Sequence, residues 1–115
     1  MLLQNDSGSV TAEMMLFVFV NLDSGMFSDL DVLLNAVNGR ISTGSYRLLD
    51  DQGIIIFMQS LLLNDNTSEN AALTLIGKTL SAMEDTVYRT EGVVLDYLGG
   101  NSLESIMNEF DKGGE

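Results

Sequence analysis

The side chains that could do chemistry in this chain are carboxylates, and they come in pairs: Asp29 and Asp31, Asp50 and Asp51, Glu84 and Asp85. Two carboxylates held in different environments can divide the roles of general acid and general base. Each pair here has a local explanation that competes with catalysis. Asp50 and Asp51 fall in a turn, where Asp is favoured because its side chain bonds nearby backbone. Asp29 and Asp31 fall in a first helical turn, where acids complement the helix dipole. Glu84 and Asp85 fall on the polar side of a long helix. No catalytic residue is assigned.

The other chemical motifs are incomplete. Asn64-Asp65-Asn66-Thr67-Ser68-Glu69 is rich in oxygen ligands. It lacks the alternating acidic pattern with a central Gly and the terminal Glu of a calcium loop. It reads as a polar loop that leads into a helix cap. Gly77-Lys78-Thr79 imitates the end of a phosphate loop, but the Gly expected five residues earlier is replaced by Ala72. The chain has no His and no Cys. That excludes an imidazole base, a thiol nucleophile, a disulfide and the usual transition-metal sites. No cofactor and no metal site is expected.

Charge narrows the partners. Lys plus Arg is 5 against 17 Asp plus Glu, a formal net charge of −12 in 115 residues. Such a surface repels a phosphate backbone and an anionic membrane, so neither nucleic acid nor membrane is an expected partner. The charge alone would suit a disordered chain, but 45% of the residues are hydrophobic, so the chain is expected to fold. A domain this small buries a modest share of its surface. The surplus of large apolar residues therefore points to an interface with a second copy or with a partner. Residues 1–6 carry no basic region, and the apolar runs 14–20 and 53–63 fall short of the roughly 20 residues a membrane span needs. A cytoplasmic protein is expected.

The elements that must position these residues are legible from periodicity. The cluster Asn5-Asp6-Ser7-Gly8-Ser9 is expected to be a turn. Residues 10–22 read as a strand whose centre, Met14-Met15-Leu16-Phe17-Val18-Phe19-Val20, is apolar on both faces, as in a central strand covered on both sides. Leu30, Leu33, Leu34 and Val37 form one helical stripe, which predicts a helix over 29–38 with Ser28 as its N-cap and Gly39 closing it. Residues 44–50 and 53–63 predict two strands joined through Asp50-Asp51-Gln52-Gly53, with Gly53 at positive φ.

Thr67 or Ser68 then caps a long helix over 69–88, marked by Ala72, Ile76, Leu80, Met83 and Val87. Gly77 inside it suggests close packing against a neighbour. Residues 92–98 read equally as helix or strand. Asn101 is expected to cap a last short helix whose stripe is Leu103, Ile106, Met107 and Phe110, and residues 111–115 are expected to fray. Met14, Met15, Met58 and Met83 are read as core. Met26, Leu103, Ile106, Met107 and Phe110, near the ends of elements, are the candidate partner-binding residues. The whole chain, 1–115, reads as a single α+β domain, a largely antiparallel sheet with helices packed on it.

The segments Leu33-Leu34-Asn35-Ala36-Val37-Asn38, Gly44-Ser45-Tyr46-Arg47-Leu48 and Gly53-Ile54-Ile55-Ile56-Phe57, followed by the helix from Ser68, resemble the YbjN family over residues 14–88. That family is similar in fold to the type III secretion chaperones. The resemblance implies a bacterial-type, non-enzymatic protein that pairs with itself and is chaperone-like or regulatory. The family's opening helix is not apparent in this sequence. The expected partners are a second copy of the chain and a protein or peptide segment. The alternative is an acidic inhibitor or immunity protein that caps a basic partner. Salt dependence separates the two, since an inhibitor would bind through its carboxylates.

Overall fold

A computed structural model describes residues 2–6, 9–64 and 67–113. The elements in chain order are β1 (Leu2–Asp6), β2 (Ser9–Phe19), a 3-10 turn (Ser24–Met26), α1 (Phe27–Asn38), β3 (Ser45–Leu49), β4 (Ile54–Asn64), α2 (Glu69–Leu98) and α3 (Leu103–Gly113). The strands form one antiparallel sheet in the order β1-β2-β4-β3. The α+β architecture is therefore as the sequence indicates. The extents of 50 × 34 × 20 Å fit two layers, one sheet and one layer of helices.

The β3–β4 hairpin follows from its turn. Gln52 donates to the Leu49 carbonyl at 3.1 Å, and Gly53 takes φ 64°. A side chain at Gly53 would also meet the Leu22 carbonyl oxygen at 2.9 Å. The Leu22 amide in turn donates to the Gly53 carbonyl at 3.0 Å, which ties the segment after β2 to the turn.

Register and burial sort the sheet into two faces. Ala12, Met14, Tyr46, Ile55, Phe57 and Leu63 are buried on the face that carries α1 and α2. Leu30, Leu33, Leu34 and Val37 of α1 and Met83 and Val94 of α2 complete this core, with Ile106 of α3. The Tyr46 and Phe57 rings meet edge to face, 5.0 Å between centres and 71° between planes. That arrangement is favoured by the quadrupoles of the two rings.

Several expected details differ. Of the expected turn over 5–9, Asn5 and Asp6 end strand β1, Ser9 opens β2, and residues 7 and 8 lie outside the described residues; β2 spans Ser9–Phe19 rather than 10–22. β1 was hidden because LLQND has too few residues to show an alternating pattern. α1 starts two residues early, at Phe27, because Asp23 caps the preceding 3-10 turn by accepting from the Gly25 amide at 3.2 Å; Ser28 is inside the helix. Gly39 closes α1 in right-handed geometry, φ −64°, so no left-handed cap is used. α2 continues without a break through residues 89–98, past the predicted end at 88. Ser68 caps it, accepting from the Ala71 amide at 3.1 Å. Gly77 faces open space, with nothing near enough to require a glycine. Ser102, not Asn101, caps α3 through the Ser105 amide at 3.1 Å. The α3 backbone stays helical to Gly113, so fraying does not begin at 111. Residues 65, 66, 114 and 115, part of the polar loop and the tail, lie outside the described residues.

Candidate protein-binding surface

The carboxylate pairs lie on three different elements, α1, the hairpin turn and α2. Asp29 accepts a hydrogen bond from the Tyr97 hydroxyl at 2.6 Å, which links α1 to α2 and raises the Tyr97 pKa, first through the bond itself and then through burial. Asp50 and Asp51 are exposed in the hairpin turn. Asp85 pairs with Arg89 one turn on, at 3.0 Å and exposed to water. Among the described residues no group of acids is arranged to hold a metal ion. No helix among them is long and apolar enough to cross a membrane.

The five residues singled out for partner binding pack on the chain's own core. Ile106 is buried, and Met26, Leu103, Met107 and Phe110 lie half-buried against it. The α3 stripe thus closes one end of the helical layer. Phe110 also lies under the Arg40 guanidinium, 3.8 Å from its ring centre.

Large apolar residues are exposed on the helices, Val32 of α1 and Leu73, Leu75, Tyr88 and Leu95 of α2, and also on the sheet face that carries no helix. β2 contributes Thr11, Glu13, Met15 and Phe17 to this outer face, and β4 contributes Ile54, Ile56, Met58, Ser60 and Leu62. Phe17 and Leu62 are each 70% exposed. Phe17 lies opposite Ile56, and Leu62 is six residues along β4 from Ile56, so the stripe runs about 20 Å. Glu13 is its only carboxylate. Arg47 and Ser45 of β3 flank it. Met15 and Met58, opposite each other, lie on this outer stripe and not in the core. The expectation that β2 is covered on both sides is thereby corrected: it is central in the sheet, but helices cover one side.

A bulge explains how the apolar run of β2 is divided. The register slips between Phe17 and Phe19, and Phe19 pairs with Ile55 on the core face. Strict alternation would have put Phe19 beside Phe17 on the outside. The bulge turns Phe19 inward and leaves Phe17 out. An uninterrupted apolar run gives no period from which this could be read.

The two long edges of the sheet also differ. At β3, the Asn38 side chain bonds both backbone groups of Tyr46, donating to its carbonyl at 2.9 Å and accepting from its amide at 2.7 Å. One amide side chain thus does what a neighbouring strand would do, and it blocks further pairing there. The Tyr46 hydroxyl lies 2.6 Å from Thr90 Oγ1 and fastens the same residue to α2. Burial raises the Tyr46 pKa, with Glu91 adding to the effect.

At the opposite edge, β1 pairs with β2 only over residues 9–13. Beyond Glu13 no strand among the described residues flanks β2 on that side. There a groove of about 340 Å³ runs between Leu16, Phe17 and Val18 of β2 and Glu84, Val87, Tyr88 and Glu91 of α2. Tyr88 is 79% exposed, and no ion pair engages Glu84 or Glu91 among the described residues.

The surface as a whole is large for the mass. A compact monomer of 12.5 kDa exposes about 6,200 Å², and this chain exposes 7269 Å². The excess, about 1,100 Å², exceeds the roughly 800 Å² that each partner buries in a standard interface. Comparison with protein families, with curated proteins and with solved structures finds no match, so the reading of this surface rests on its own chemistry.

Proposed function

We propose that the chain is a non-enzymatic protein-binding module that pairs with a second copy and holds an extended segment of another protein, in a chaperone-like or regulatory role. The observation that carries this reading is the apolar outer face of β2 and β4, where Phe17 and Leu62 are each 70% exposed, although Ile56 opposite Phe17 is buried. Phe17 and Leu62, each 70% exposed on a largely apolar sheet face, leave apolar area for a partner to cover, and one carboxylate among the members of that face opposes association little. Two copies packed stripe to stripe would make a sheet sandwich with an apolar centre. The resemblance to the YbjN family and the type III secretion chaperones is consistent with such pairing.

The groove beside β2 is the place for the second partner. An extended segment added to the free edge of β2 gains main-chain hydrogen bonds, while Val87 and Tyr88 offer apolar contact. Glu84 and Glu91 favour Lys or Arg on that segment. These two carboxylates are also what supports the alternative reading, an acidic inhibitor of a basic protein. Capture from native lysate on the immobilised chain at low and high salt tests both. A discrete protein retained at high salt and lost with Tyr88→Ala supports the apolar, chaperone-like reading. A protein released by salt and lost with Glu84→Gln and Glu91→Gln supports the inhibitor. Capture of nothing discrete at either salt contradicts both.

A further inference from the structure

Away from that surface, the loop after α1 and the middle of α2 enclose a hollow of about 180 Å³ with an unusual lining. Only five residues of the chain are basic, and two of them, Arg40 and Arg89, line this one hollow. Among the described residues no acid lines it. The remaining lining is Ile41 and four hydroxyl residues, Ser42, Thr43, Thr86 and Thr90. We propose that this hollow binds a phosphate-type dianion, independently of the protein-binding reading.

Part of the donor set is unspent. The Arg40 guanidinium carbon lies over the Phe110 ring, 3.8 Å from its centre, and the guanidinium N–H groups bond no other described residue; Arg40 has no carboxylate within ion-pairing distance among the described residues. Arg89 gives one Nη to the Asp85 carboxylate at 3.0 Å and its Nε to the Asp85 carbonyl at 3.5 Å, and keeps its other Nη. The backbone amides and hydroxyls of Ser42 and Thr43 bond no other described residue. Thr86 and Thr90 donate inward, to the carbonyls of Ala82 and Thr86 at 3.0 and 2.7 Å, so they give the hollow its shape rather than its donors.

The walls are held in place before any ligand arrives. The Arg40 and Ile41 amides bond back to Val37 and Asn38 at 3.0 and 3.2 Å. Gly44, φ 78°, closes the loop where a Cβ would stand 2.7 Å from the Phe57 ring. On the helix side, Thr90 is fastened to the Tyr46 hydroxyl at 2.6 Å. Two guanidinium groups set around hydroxyls and free amides are the chemistry that recognises phosphate. Asp96 and Glu109 line a separate cavity on the other side of Arg40, and the net charge of −12 opposes any anion. Binding in the millimolar range is therefore expected, and stronger binding at moderate salt, where screening removes the distant repulsion while the local contacts remain.

The test is a titration of the full ¹⁵N-labelled chain with inorganic phosphate, and separately with O-phosphoserine, followed by amide NMR at constant ionic strength against chloride. The expected result is saturating shifts centred on residues 40–44 and 86–90. Arg40→Gln and Arg89→Gln each weaken binding about tenfold, while Arg47→Gln, on the outer face of the sheet, leaves it unchanged. Spectra of the Tyr46–Phe57 region report that each variant is folded. Saturation by inorganic phosphate alone assigns a free anion; saturation by both shows that the hollow admits a phosphate ester. Shifts that do not saturate, that spread over the chain, or that survive both Arg40→Gln and Arg89→Gln overturn the proposal.

Discussion

One sheet presents two apolar faces with opposite fates. The inner face has Phe57, Ile55 and Met14 under two helices, and the outer face has Phe17 and Leu62 each 70% exposed. The residue types are alike, so hydrophobicity alone does not decide what is core. The number of helices available does. α1 and α2 pack on one side of β2, β3 and β4, and α3 closes the end of that same layer. The edges repeat the contrast. Asn38 closes the β3 edge with two hydrogen bonds, while β2 beyond Glu13 is free among the described residues. Sites that are finished within one chain and sites that invite a second chain can thus be told apart by whether their apolar and backbone groups are satisfied locally.

Substitution at equivalent residues on the two faces should give very different effects. Phe57→Ala removes a fully buried ring that packs on Tyr46, and should cost about 3–5 kcal/mol. Thermal unfolding should fall by more than about 10 °C. Phe17→Ala removes a ring that water already reaches, and should change the stability of the monomer by about 0.5 kcal/mol or less. Equal losses from the two would break the comparison.

The edges offer the next contrast. Asn38→Ala leaves the Tyr46 amide and carbonyl without partners and should cost about 2 kcal/mol by denaturant titration. It should also raise the rate of aggregation, since the β3 edge is then free to pair. A stable, non-aggregating Asn38→Ala variant would show that the closed edge needs no guard.

Tyr46 supplies a pH test of the closed side. Its folded pKa is raised above the ordinary value of 10.0, so the folded state holds the phenolic proton more tightly than the unfolded chain. The associated stability is fully present below pH 10 and is lost as pH rises through the folded pKa. Tyr97 is raised in the same direction by its bond to Asp29 and shares that loss. Tyr46→Phe should cost about 1 kcal/mol at neutral pH and flatten the alkaline limb of the stability curve. Urea titrations from pH 8 to 11 on both proteins would reveal this. An unchanged alkaline limb would mean that Tyr46 does not carry it.

The smallest effect expected is general. A net charge of −12 repels itself, so the melting temperature should rise by a few degrees from low to moderate NaCl as screening sets in. A flat or falling response would place the stability elsewhere.

Particular residues show how much of this could be read from sequence. The hairpin turn was legible, because Gly53 after Asp50-Asp51-Gln52 has one common solution and takes it, φ 64°. The α1 stripe was legible from its spacing, and all four members are buried. β1 was not, since its strand status comes from pairing with β2 and not from its own pattern. The continuation of α2 through Gly92, Val93 and Val94 was ambiguous for a local reason: a glycine and two β-branched residues weaken helix propensity, and burial of Val94 in the core overrides it. The candidate site was the least legible part. The α3 stripe had the clearest amphipathic spacing near a chain end, but that spacing serves the chain's own core. The exposed stripe is spread over two strands distant in sequence and is set by a bulge, so no local window contains it.

The central claim is that the outer face of the sheet is an interface. Light scattering of the wild-type chain and of the Phe17→Lys, Leu62→Lys double variant, at physiological salt and across micromolar concentrations, tests it most directly. Both substitutions replace side chains that are 70% exposed, so the monomer should remain folded, as circular dichroism would show. The account predicts a mass near twice 12.5 kDa for the wild type and near 12.5 kDa for the variant. A wild type that stays near 12.5 kDa throughout, or a double variant that keeps the doubled mass, would contradict it.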